Sequence, residues 1–283
     1  MRRAAIRPSP EFLAAVLLDL IPRMLIGGTL AGVAAGYARR RHQLTLGGEY
    51  AAFAVGTAAA IGGFPWLISL AVFFYSSVQL TRWRAGDKRR RSLSVLPDAR
   101  SRDAWQVLAN GGLFAVAAVV WAFSGTWQVG LFGFGALATA TADTWATEVG
   151  MALKSSPRSI LGWQPVIAGT SGGVSAFGLA AAVVGAFVIA LCAVYALTVP
   201  FDIPRLEAVF VGGLAGTIAD SLLGATVQSR RWCDECQAWT ERRVHTCGYR
   251  SRHRRGFRWM TNDLVNLLAT CFGGAVAVGA WLP

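Results

Sequence analysis

Charge is what this 283-residue chain has least of: 15% of its residues are Asp, Glu, Lys or Arg, where a soluble domain carries about 25%. Acidic residues are scarcer still, 15 against 27 Lys and Arg, for a formal net charge of +12. The chain has no G-x-x-x-x-G-K-[ST] stretch, which excludes a Walker-type NTPase. No cleavable signal peptide is expected either, because Glu11 and Asp19 interrupt the first apolar stretch and no A-x-A-like site follows it. In place of charge there is apolar surface, 54% of residues at a mean hydropathy of +0.45, together with 32 Gly and 11 Trp. Glycine lets helices approach closely in lipid, and indoles favour the membrane–water interface. The composition excludes a disordered chain, argues against an ordinary soluble enzyme, and predicts an all-α, polytopic transmembrane bundle.

A crossing needs about 20 apolar residues, and such stretches lie at about 11–38, 48–62, 65–81, 104–122, 128–152, 172–197, 206–228 and 259–281. Seven are clear spans. The first contains Pro22-Arg23 and reads as an interfacial helix followed by a short span. The chain divides into N-terminal membrane helices with a basic loop (1–103) and a core membrane domain (104–283) that carries a Cys/His loop at 229–258. Of the 27 cations, 23 fall in residues 1–10, 39–41, 82–102 and 230–258. These runs punctuate apolar ones, the positive-inside pattern, so they read as loops facing anionic cytoplasmic lipid rather than nucleic acid. The protein is thus expected in an inner or plasma membrane with its working face cytoplasmic.

Ionisable groups inside a membrane are expensive and mark function by default. Asp143, Glu148, Asp220 and Asp263 all fall toward the cytoplasmic ends of spans. Asp143 and Glu148 are five residues apart, about 140° around a helix, and do not share a face. Asn262, Asp263 and Asn266 do converge at the start of the last span. Asp143, Asp220 and Asp263 therefore suggest a shared Mg²⁺–phosphate site, against the alternative of inter-helix hydrogen bonds that merely hold a bundle together. Asn110-Gly111-Gly112 and Ala142-Asp143-Thr144 are echoed by Ser171-Gly172-Gly173 and Ala219-Asp220-Ser221, a parallel two-helix internal repeat of the kind that places sites at repeat interfaces. Gly169, Thr170, Ser171 and Gly172 open a span and suit phosphate through backbone N–H groups, with Lys154 and Arg158 as clamps. Cys233, Cys236, His245 and Cys247 offer four soft ligands at C-x₂-C and H-x-C spacing. A structural Zn²⁺ fits them better than disulfides in a cytoplasmic loop.

Seven ordered motifs across about residues 45–281 resemble the integral membrane family that includes transmembrane protein 19 and the plant phytyl-phosphate kinase. They are Ser76-Ser77 with Leu80-Thr81-Arg82, Gln106–Gly112, Ala142–Gly150, Pro157-Arg158, Gly169–Ser175, Asp220–Gln228 and Asn262–Asn266. The Asp143 segment is also similar to the G-D-x-x-A-S-x-x-G stretch of CTP-dependent dolichol and phytol kinases, with Ala142 for its Gly and Thr147 for its Ser. The resemblance implies a Mg²⁺-dependent isoprenoid monophosphate kinase, a transferase making a diphosphate from a lipid isoprenoid phosphate. The donor is ATP or CTP. On that reading Asp143, Glu148, Asp220 and Asp263 are catalytic, and Asn110, Asn262 and Asn266 assist nucleotide or phosphate binding. A transporter or flippase of a phosphorylated isoprenoid lipid uses the same polar groups and is the alternative.

Overall fold

The computed structural model describes residues 10–92, 101–153, 155–197 and 202–281. Its helices are α1 (Pro10–Arg40), α2 (Leu46–Gly62), α3 (Phe64–Arg82), α4 (Ala85–Ser92), α5 (Ala104–Ser124), α6 (Trp127–Ala152), α7 (Ala176–Leu197), α8 (Ile203–Thr226) and α9 (Asn262–Trp281). Among the described residues, two small antiparallel sheets lie in the connections: β1 (Arg158–Ser159) with β2 (Gly173–Val174), and β3 (Arg230–Cys233) between β4 (Ala238–Thr240) and β5 (Arg252–Arg255). Each expected span falls on a helix. Among the described residues, six are long and apolar enough to cross a membrane: α1 from Leu18, then α3, α5, α7, α8 and α9. Of the other two, α2 is 17 residues long and α6 is the more polar. The break expected at Pro22 is not there, since α1 runs through it as one helix.

The starts and stops have local causes. Thr45 caps α2 by accepting from the Gly48 N–H at 3.1 Å, Asp103 caps α5 through the Gln106 N–H at 3.0 Å, and Asp202 caps α8 through the Arg205 N–H at 3.3 Å. Gly125, at φ +57°, ends α5 in the left-handed conformation. The basic loops then gather at one end of the bundle, where Leu44 bridges Arg102 and Lys88 pairs with Glu148. At the other end Trp121 meets Trp127 edge-on at 5.7 Å, and the Arg205 guanidinium lies 3.6 Å from the Trp127 ring centre while it pairs with Asp202. Such an aromatic end suits a membrane interface.

Helix α6 is the axis of the fold. Leu131, Phe134, Leu137, Ala138 and Ala142 are fully buried, and Phe134 packs on Trp66 and Phe114 at 4.7 and 5.3 Å between ring centres. Helices α5, α7, α8 and α9 surround it. A helix enclosed by protein has no need of lipid-like hydropathy, which is why α6 carries Thr139, Thr141, Asp143 and Glu148 along its length. The α6–α8–α9 contact is exceptionally close. A Cβ on Gly216 would sit 2.2 Å from Thr139 Oγ1 and 2.9 Å from the Ala269 carbonyl, so only glycine lets these three backbones meet. Gly216→Ala is accordingly expected to destabilise the bundle by about 1–3 kcal/mol. Thermal unfolding in detergent measures this, and adding Thr139→Ala should recover part of the loss; an unchanged Gly216→Ala midpoint refutes the close crossing.

Candidate functional site

That crossing delivers the site. Asp143 is in the third quarter of α6 and Asp220 near the end of α8, two helices running in the same direction, and their carboxyls come within hydrogen-bonding distance of each other. Helix α9 adds Asn266, whose amide nitrogen donates to Asp220 Oδ1 at 2.9 Å and to the Asn262 carbonyl at 3.3 Å. Thr261 caps α9 by accepting from the Leu264 N–H at 3.3 Å, which fixes the rotation that aims Asn266 inward. Two carboxylates side by side in a bundle interior require a shared proton or a cation, and their hard oxygens fit Mg²⁺.

Not every expected member joins them. Asp263 is half-buried with Asp103, the α5 cap, as its acidic neighbour, and it lies outside the Asp143–Asp220–Asn266 group. The side chain of Asn262 is exposed. Asn110 donates to the Gln106 carbonyl of its own helix at 2.9 Å, a bond any mid-helix Asn can make when nothing else is offered. The repeat holds in part: the two Asp segments meet at equal depth, but Asn110–Gly112 lie inside α5 whereas Gly172-Gly173 precede α7.

Glu148 goes elsewhere, as its angular offset from Asp143 requires. It accepts from Thr81 Oγ1 at 2.7 Å and pairs with Lys88, whose ammonium also donates to the Leu80 carbonyl at 2.6 Å. One turn away Trp145 Nε1 donates to Ser76 Oγ at 3.0 Å. Glu148 is thus a clamp joining α6 to α3 and α4 rather than a second ligand beside Asp143. Lys88 is 5% exposed; removing the carboxylate leaves a buried ammonium poorly compensated. Glu148→Gln is therefore expected to cost about 3 kcal/mol of stability while turnover per folded molecule changes little. Melting and assay on the same preparation separate the two effects. A variant that melts like the parent but turns over a hundredfold slower would return Glu148 to the chemistry.

The Gly169–Gly172 segment is a loop ahead of β2, not the first turn of a helix. Thr170 and Gly173 spend their N–H groups on the carbonyls of Ile167 and Thr170, and Ser175 provides the α7 cap through the Gly178 N–H at 3.2 Å. Ser171 donates to Glu241, and Gly172 packs on Ala225 at the end of α8. Arg158 is exposed and donates to the Trp163 carbonyl at 2.8 Å; Lys154 lies outside the described residues. Glu241, which sequence reasoning missed, also accepts from Gln228 Nε2 at 3.2 Å and feels both Arg230 and Asp220. Burial pushes its carboxyl above the usual range, opposed by the Ser171 hydroxyl and Arg230. Its signal was modest, a lone acid after β4 in a basic loop.

The Cys/His loop assembles as expected. The ligand atoms of Cys233, Cys236, His245 and Cys247 all lie within 4.8 Å of one another. Cys233 Sγ is 3.5 Å and His245 Nδ1 3.2 Å from Cys247 Sγ, close to the ~3.8 Å edge of a tetrahedron with Zn–S near ~2.3 Å. The Tyr249 backbone N–H, helped by His245, pulls the Cys247 thiol down to about 6, whereas its hydrogen bond with Cys247 pushes Cys236 up to about 11. One thiolate is thus already favoured among the sulfurs, a donor set that fits zinc.

Comparison with known proteins places the chain in a family. Residues 29–274 match the family described as integral membrane protein DUF92. Similar proteins include an uncharacterized membrane protein of Methanocaldococcus jannaschii, 31% identical over 76% of each chain. Protein PGR of Arabidopsis thaliana is 29% identical over 75% of this chain and 81% of its own, and an uncharacterized membrane protein of Synechocystis is 29% identical over 78% and 75%. No solved structure matches. All seven sequence motifs lie inside the matched region, and the chain is an integral membrane protein of the DUF92 family.

Proposed function

We propose that this protein is a prenyl-monophosphate kinase that works at the end of the bundle where the basic loops gather, the cytoplasmic one by the positive-inside pattern. The observation that carries the reading is the meeting of Asp143 and Asp220, with Asn266, between the helices, where Glu241 links Asp220 to Arg230 and to Ser171 of the Gly169–Gly172 loop. In the proposed reaction an oxygen of the isoprenoid monophosphate attacks the terminal phosphorus of ATP or CTP. A new P–O bond forms, the bond to the bridging oxygen breaks, and the nucleoside diphosphate leaves with the electron pair. Mg²⁺ bound at the carboxylates supplies neutralisation of charge on the transferring group. Asp143 and Asp220 would hold that ion, Asn266 fixes the orientation of Asp220, and Arg230 adds positive charge at the loop. A monophosphate acceptor is already largely ionised at neutral pH, so no strong general base is required. Zinc at Cys233, Cys236, His245 and Cys247 would be structural, because four protein ligands leave no open position.

The test is nucleotide consumption by purified protein with and without a prenyl monophosphate. Stimulation with formation of the prenyl diphosphate supports the kinase; transbilayer movement of the lipid phosphate with no nucleotide consumed replaces it with the transporter reading. Orientation is checked with trypsin, since Arg250, Arg252 and Arg254 are exposed. Cleavage in the 229–258 loop is expected in inside-out membrane vesicles and not in intact cells, and the reverse pattern moves the site to the other face.

A further inference from the structure

Between the 158–173 loop and the Cys/His loop is a cavity of about 90 Å³, lined by Ser159, Gln164, Thr170, Ser171, Arg230 and Arg255 among others. Its two arginines face each other by construction. Arg230 and Arg255 are direct partners across the antiparallel β3–β5 pair, an arrangement of like charges that destabilises a sheet unless something lies between them. A β-bulge creates it. Arg231 pairs with His253 but Arg230 pairs with Arg255, so one extra residue, Arg254, is inserted. Without the bulge Arg254 would oppose Arg230 and every side chain beyond would exchange faces. The bulge is followed by Gly256 at φ +75°, where a Cβ would stand 2.1 Å from the Gln228 carbonyl, so the backbone is committed to this register. It also sorts the cations: Arg252 and Arg254 go to Asp234 at 3.2 and 3.5 Å, while Arg255 is left to the cavity. Arg230 donates to the Ser171 carbonyl and faces Glu241; burial, then the charge of Arg255, pulls its guanidinium below its ordinary value.

We propose that Arg230 and Arg255, with the hydroxyls of Ser159 and Thr170, form a binding site for a phosphate group. Two guanidiniums with adjoining hydroxyls match the acceptor oxygens of a phosphate dianion, and the volume suits one such group rather than a whole nucleotide. The site adds two arginines of the Cys/His loop to the cationic role expected of Lys154 and Arg158. It deepens the kinase reading and rests on it for the identity of the phosphate, which belongs either to the lipid acceptor or to the nucleotide.

Full-length protein in nanodiscs, titrated with inorganic phosphate, farnesyl monophosphate and ADP, tests the site in wild type and in Arg255→Gln. Inorganic phosphate is expected to bind at least tenfold more weakly to the variant, with zinc content unchanged and a melting temperature equal to or above that of wild type. Parallel loss for farnesyl monophosphate alone assigns the acceptor, and for ADP alone the donor. Thr170→Val, on the opposite wall and away from the zinc ligands, should weaken phosphate severalfold, and it decides the matter if Arg255→Gln loses its zinc. Equal phosphate affinity in wild type and variants, or binding to none of them, overturns the site. The two readings fail separately. Normal phosphate binding by Arg255→Gln in a protein whose turnover still needs Asp143 removes the site and keeps the kinase. Phosphate binding that needs Arg255 in a protein that never consumes nucleotide does the opposite.

Discussion

Asp143→Asn and Asp220→Asn are each expected to slow nucleotide-dependent turnover of prenyl phosphate by about a hundred- to a thousandfold, equivalent to roughly 3–4 kcal/mol of transition-state stabilisation. The substitution keeps shape and hydrogen bonding and removes only charge. Both side chains are only partly accessible, so water substitutes poorly for that charge, and the loss falls on the metal and on the phosphoryl group it would neutralise. Stability should move the other way: the two carboxyls lie within hydrogen-bonding distance, and replacing one by an amide removes a like-charge repulsion. The expected pattern is thus a slower and equally or more stable protein. Both variants turning over at nearly the wild-type rate in well-folded form would reduce the pair to an inter-helix contact and sink the metal-site reading. Because Asp263 lies outside the pair, Asp263→Asn should cost far less.

The second large effect belongs to the loop. Purified protein is expected to carry about one equivalent of zinc, and Cys233→Ser to lose it, because a structural site contributes its binding energy directly to folding, roughly 10 kcal/mol or more in small zinc domains. Cys233 ends β3 and is fully buried, so its loss frees the strand that holds Arg230. Released with it are Glu241, bonded to Ser171 and Gln228, and Arg255. Turnover should fall with zinc content, protease should cut the 229–258 loop faster and at more positions than in the parent, and the helices should remain folded. A metal-free protein with full activity and an unaltered digestion pattern would make the Cys/His cluster a coincidence of sequence.

The fold was largely legible because lipid imposes a simple rule on composition. Each apolar run became a helix, and Gly62-Gly63 with Pro65 marked the α2–α3 turn. Pro22 misled: a proline inside an apolar run reads as a break, yet α1 continues through it, and neighbouring groups in a membrane bundle commonly re-satisfy the carbonyl that proline leaves free. At the site, Asp143 and Asp220 were visible as charges where charge is costly. Their contact was visible only through a presumed repeat, since nothing in either segment states that Gly216 lets α8 approach Thr139. Glu148 was separable from Asp143 by helical angle alone, but its partner Lys88 was hidden in a run of arginines. In retrospect it carries a signal: it is one of two lysines in the chain, and a compact ammonium suits burial against a single carboxylate better than a guanidinium fork. Glu241, Arg230 and Arg255 were not legible, because a bulge decides which way strand residues point and a bulge has no reliable sequence mark.

The enclosure of α6 has a consequence for how the protein is made. Too polar to enter lipid cheaply on its own, this helix leaves the ribosome before α7, α8 and α9 exist to cover it. Its stable entry should depend on segments synthesised later, as a helix with central charges inserts poorly alone. A nascent chain stopped after residue 153 would then hold α6 at the translocon or release it to the wrong side, whereas one extended through α9 would seat it. The residues proposed for chemistry would reach their depth in the membrane only as the last helix arrives.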